Sequence, residues 1–138
     1  MARTHEDIER YVLASHIPSE QVAAGTWVLR DPSWDGAQIV VHHAEPLLIY
    51  RVKIVEVPKD LPIAGQARLF RRLLELNATD MLQGAYALEQ DSVVAVEVMQ
   101  VENLDQNEFH AAIDSLTQAI VDHREELVAL LGSQTAKA

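Results

Sequence analysis

The chain has 138 residues, a formal net charge of −10, 49% hydrophobic and 23% charged residues, and no cysteine. That length suits one domain with a buried core. The missing cysteines exclude disulfides, thiolate metal sites and cysteine nucleophiles. The excess of acid argues against a surface that grips nucleic acid, which needs cations to displace phosphate counterions.

The charge is unevenly spread. Residues 1–72 hold 9 Lys/Arg and 9 Asp/Glu, whereas residues 73–138 hold 2 Lys/Arg against 12 Asp/Glu, the whole of the −10. The N-terminal MARTHEDIERY lacks the apolar run of a secretory signal, and the longest apolar stretches are broken before membrane-spanning length. A soluble, cytoplasmic protein is the expectation.

Thr4 and Asp7 have the spacing of a capping box, followed by Ile8, Tyr11 and Val12 on one helical face. Pro18 disfavours helix at Ile17, so this helix is expected to end near His16. Ser19 to Gly25 is expected to be a connector. Thr26 to Arg30 reads as a strand, residues 31–36 as turn, and Gln38 to His43 as a second strand. After the break at Ala44 to Pro46, Leu47 to Val57 alternates as a third strand. Leu48, Tyr50, Val52 and Ile54 share one face of it. Ile49, Arg51, Lys53, Val55 and Val57 are expected on the other.

A loop from Pro58 to Gly65 leads to a second helix, about Gln66 to Leu76, with Leu69, Phe70, Leu73 and Leu74 as its apolar stripe and Asn77 as its stop. Gly84 to Glu89 and Val93 to Met99 read as a hairpin. Asp105 and Glu108 cap a last helix marked by Phe109, Ile113, Leu116, Ile120, Leu127 and Leu131. Gly132 is expected at its C-terminal stop, and the tail 133–138 is expected to fray. The order is α-β-β-β-α-β-β-α. Without a β-α-β rhythm, it predicts an α+β fold, a largely antiparallel five-stranded sheet with helices packed on it, within one domain spanning 1–138.

No residue pattern carries chemistry. His42 and His43 are adjacent on a strand and point to opposite faces, and His43 with Glu45 lacks a third ligand. His110 and Asp114 lie at i, i+4 on the last helix without a completing motif. No nucleophile elbow or phosphate-binding loop is present. The expectation is no catalytic residue, no metal and no cofactor. Arg68, Arg71 and Arg72 give the second helix a basic side, Arg71 being placed to pair with Glu75. Trp34, in a turn-rich stretch, either folds back onto the sheet or stands out as an anchor. The sheet face bearing Arg51 and Lys53 is available to an extended segment or a second subunit.

The stretches Leu69 to Asn77, Gly84 to Glu89, Val93-Val94, Glu102 to Asp105 and Glu108-Phe109 resemble the YbjN-like proteins, relatives of the type III secretion chaperones that include the Tir-chaperone group. The resemblance covers roughly residues 4–131 at the level of pattern. It implies a small acidic homodimer that engages another protein, with no catalytic residues to carry over. By matching elements it implies dimer or partner contacts at Leu69, Phe70, Leu73, Leu76 and Tyr86; Trp34, Arg51 and Lys53 stand beside them as partner-binding candidates from the residue pattern alone. The expected function is therefore a non-enzymatic, homodimeric protein-binding or chaperone-like protein. The competing expectation is a regulatory or sensory module that takes a small ligand or works inside a nucleic-acid-associated protein complex.

Overall fold

A computed structural model describes residues 3–81 and 83–135. In chain order the elements are α1 (His5–Ala14), β1 (Ser19–Ala23), β2 (Thr26–Leu29), a 3-10 turn at Pro32–Trp34, β3 (Ile39–Ala44), β4 (Leu47–Glu56) and α2 (Ile63–Thr79). They continue with β5 (Ala85–Glu89), β6 (Ser92–Gln100), α3 (Gln106–Gln118), a π-helical turn at Ala119–His123 and α4 (Arg124–Thr135). The fold is α+β. One six-stranded sheet runs β1-β2-β3-β4-β6-β5, antiparallel at every pairing.

One face of the sheet carries the core. Trp27, Leu29, Val41, Leu48, Tyr50, Val52, Val93 and Ala95 share a buried cluster with Ile8 and Val12 of α1, Leu69 and Leu76 of α2, and Phe109 and Leu116 of α3. Tyr50 is fully buried, and its hydroxyl donates to the Phe109 carbonyl at 3.3 Å. Burial holds that phenol well above its ordinary pKa. Both capping boxes form as expected: Thr4 with Asp7 starts α1, and Asp105 with Glu108 starts α3.

Several boundaries differ from expectation, each for a physical reason. Ser19–Ala23 is a strand, β1, not a connector. All five of its side chains are exposed, so it carries no buried alternation to betray it. It turns into β2 through Gly25 at φ +76, where an added Cβ would lie 2.7 Å from the His5 ring. The sheet thus has six strands, one more than expected.

α2 starts at Ile63 with Pro62 at its N-cap and runs to Thr79, beyond the expected stop at Asn77. Proline fits a helix start because the N–H it lacks has no helical partner there. Asn77 instead reaches the edge of the sheet. Its carboxamide oxygen accepts from Tyr86 N at 2.7 Å and its nitrogen donates to Tyr86 O at 3.2 Å. At the other end, α4 passes through Gly132 to Thr135 rather than stopping at the glycine. Residues 133–135 are therefore helical, and the rest of the expected frayed tail, 136–138, lies outside the described residues. A helix-interior glycine is a penalty of about 1 kcal/mol, not a prohibition.

β4 contains a bulge between Lys53 and Val55 in its pairing with β6. A bulge inserts one residue and reverses the alternation beyond it. Val55 and Val57, expected on the outer face with Arg51, are therefore buried in the core cluster.

Candidate partner-binding surface

The other face of the sheet can be read from the strand registers. One row runs Glu20, Val28, Val40, Arg51, Val96 and Ala85 across β1 to β5. A second runs Thr26, His42, Ile49 and Val98, and a third Lys53, Val94 and Ala87. Val28 and Val94 are buried yet stand outside the helix-side core cluster. Val98 is 47% exposed. The face is thus a valine-rich floor crossed by two cations. Arg51 pairs with Glu89 and Lys53 with Glu56, all four side chains largely in solvent. Such pairs are worth about 0–1 kcal/mol, so a partner's charges can replace either member.

At one end this face opens into a cavity of about 520 Å³. It is lined by Gly36, Ala37 and Gln38 ahead of β3, by Arg51 and Lys53 to Glu56 of β4, and by Val40 and Arg124. The cavity lies where β3 has ended. The β3–β4 pairing begins at Ile39 opposite Val52, while β4 continues through Lys53, Ile54, Val55 and Glu56.

Trp34 folds inward. It is buried in the 3-10 turn, its N-cap Asp31 accepting from Ser33 N at 2.8 Å. Arg124 fixes this turn from outside, donating to the carbonyls of Trp34 at 3.3 Å and Asp35 at 3.0 Å. Trp34 thus holds the cavity's loop in place instead of presenting its ring.

The α2 candidates divide. Leu69, Leu73, Leu76 and Tyr86 are buried within the chain, and Phe70 is half-buried against the core. Leu74, expected in the buried stripe, is 69% exposed, as are Ile63 at the start of α2 and Leu88 of β5 to 85% and 50%. The sequence signal was present for Leu74, which sits about 100° round the helix from Leu73. Arg71 pairs with Glu75 as expected. Arg72, by contrast, forks onto Glu126 of α4, holding that carboxyl below its usual range.

Five of the six histidines, His5, His42, His43, His110 and His123, have side-chain partners within the chain. His42 Nδ1 lies 2.7 Å from the Thr26 hydroxyl. His43 joins His5, Nδ1 to Nδ1, at 2.6 Å and Glu45 at 3.0 Å. His110 Nε2 donates to the Tyr11 carbonyl at 3.2 Å. Among the described residues, no three or more His, Asp or Glu side chains are grouped to hold a metal. Sequence reasoning missed His123, which the π-helical turn buries between the Tyr86 hydroxyl at 2.7 Å and Asp80 at 3.0 Å. The Thr79 hydroxyl, then His123, lower the Asp80 pKa, while burial raises that of Tyr86. Among the described residues, no helix is long and apolar enough to cross a membrane.

Several solved structures share this architecture. A chain of the heterodimeric ExoU–SpcU complex from the type III secretion system of Pseudomonas aeruginosa is 18% identical, with a TM-score of 0.65, covering 91% of this chain and 98% of that one. The Yersinia pestis type III secretion chaperone SycH, solved in complex with a stable fragment of YscM2, gives 15% identity and a TM-score of 0.60 over 86% and 98% of the two chains. E. coli YbjN, described as a candidate transcription regulator, gives 11% and 0.61 over 99% and 94%. These likenesses show the fold. No curated protein sequence matches the chain. The CesT_Tir_1 family model matches residues 1–133, and the chain belongs to that family of type III secretion chaperones.

Proposed function

We propose that this chain is a non-enzymatic, cytoplasmic, homodimeric chaperone-like protein that holds another protein, and that residues 1–138 act as one domain in doing so. The observation that carries this reading is the outer sheet face. Val40, Ile49, Val96 and Val98 form apolar rows there, with Arg51 and Lys53 among them. A sheet usually buries at least one face, and a second apolar face is suited to a partner chain. Family membership points the same way, as do neighbours solved as chaperone–effector complexes, including HopA1–SchA.

The dimer contact is assigned to α2 and β5. Phe70, Leu74 and Leu88 supply its apolar surface, while Leu69, Leu73, Leu76 and Tyr86 shape it from beneath. Light scattering tests the dimer: twice the chain mass at micromolar concentration is expected, and a monomer there contradicts it. Co-purification from the native host tests partner binding. A stoichiometric protein partner is expected; a metabolite that saturably raises the melting temperature, with no protein retained, favours the sensory module instead.

A further inference from the structure

The cavity beside β4 differs in charge from the chain around it. Among its ten lining residues are three cations, Arg51, Lys53 and Arg124, and one acid, Glu56, while the whole chain carries −10. Its shape is equally specific. β4 extends four residues, Lys53 to Glu56, beyond the last residue that β3 pairs. The chain that would have continued β3, Gly36 to Gln38, lines the same cavity. The cavity therefore occupies the place of a missing strand segment. Four extended residues span about 13 Å. Backbone groups along such an overhang are the natural partners of another extended chain.

We propose that this cavity is a docking site for an extended, acidic peptide segment of a partner protein, laid beside Lys53–Glu56 with its carboxylates on Arg51, Lys53 and Arg124. The inference rests on the protein-binding reading and names the chemistry that one subsite of the surface selects. Apolar side chains of the segment rest on half-buried Val40, while Ala37 and Val55, buried in the core, close the cavity from beneath. Its carboxylates exchange with Glu89 and Glu56, the present partners of Arg51 and Lys53. Both ion pairs are exposed, so exchange carries little penalty. Arg124 stays anchored on the Trp34 and Asp35 carbonyls, which fixes its charge at the mouth.

The test uses the full chain and a short fluorescein-labelled peptide alternating Val and Glu, with its Val/Lys counterpart as control. Fluorescence anisotropy should show saturable binding of the acidic peptide, weakening with salt, and none of the basic one. Amide shifts in a heteronuclear NMR titration should concentrate at Gly36–Gln38 and Ile54–Glu56. The double variant Arg51→Glu, Lys53→Glu should fold with an unchanged circular dichroism spectrum and lose about tenfold or more in affinity. Equal binding of both peptides, shifts confined to the β1 edge, or wild-type affinity in the folded double variant would each overturn the proposal. The peptide experiment needs no host partner, so the two readings fail separately. No peptide binding beside a retained host protein removes this subsite and leaves the protein-binding function standing.

Discussion

The two faces of the sheet are built from the same strands and obey opposite rules. On the helix side, Tyr50, Val41, Leu48 and Val52 meet Phe109, Leu116 and Leu69, and the face is closed within one chain. On the outer side, Val40, Ile49, Val96 and Val98 are apolar, yet Arg51, Lys53 and the half-exposed Val98 keep the face accessible. The contrast separates residues that make the fold from residues available to a partner. Apolar character alone does not distinguish them; register does.

Substitutions should break that contrast in graded fashion. Phe109→Ala, on the closed face, should destabilise the chain by about 3–5 kcal/mol in urea unfolding, because it empties a fully buried ring site. Asn77→Ala should follow at about 1–3 kcal/mol, since it strips both backbone partners from Tyr86 at the sheet edge. Light scattering on the same variant should show increased self-association through the uncovered strand. Thr4→Ala should lose about 1 kcal/mol by removing the cap of α1. Smallest of all, Val98→Ala on the open face should fall within about 0.5 kcal/mol of the parent. A Val98 effect as large as that of Phe109 would mean that the open face is already occupied in the isolated protein.

The pH dependence follows from the same geometry. Asp80 is held below its usual pKa by the Thr79 hydroxyl and by His123, and Asp7 by its cap with Thr4. A carboxyl with a lowered folded pKa binds fewer protons folded than unfolded, so its contribution is present above the ordinary value of 3.8 and lost as pH falls below it. Tyr50 and Tyr86 are shifted the other way by burial, and their contribution is lost as pH rises above the ordinary 10.0. Urea midpoints should therefore fall at both extremes. Asp80→Asn should reduce the acid-side loss, and an unchanged acid limb would show that the Asp80–His123 contact is not maintained in solution.

How much of this was legible in the sequence depends on whether a feature is local. The caps at Thr4 and Asp105 and the alternation of Leu48, Tyr50 and Val52 are short-range patterns, and they reappear in the structure. β1 left no trace because it buries no side chain, and the Lys53–Val55 bulge because it is defined by the pairing with β6. Trp34 and Tyr86 were recognisable as large groups needing a site, but their destinations depend on Arg124 and His123, about ninety and forty residues away. The cavity was least legible. Arg51 and Lys53 were visible as cations on one strand face, while the gap beside them exists because β3 stops short of β4.

The central claim is that the open face of the sheet, not the closed one, receives a protein. Its most direct test is the mass, by size exclusion with light scattering, of what the chain retains from its native host, compared between the parent and the double variant Ile49→Glu, Val98→Glu. The account predicts a stoichiometric complex with the parent and its loss from the variant, with the variant's melting temperature within a few degrees of the parent's. An equally retained partner in the folded variant would contradict it.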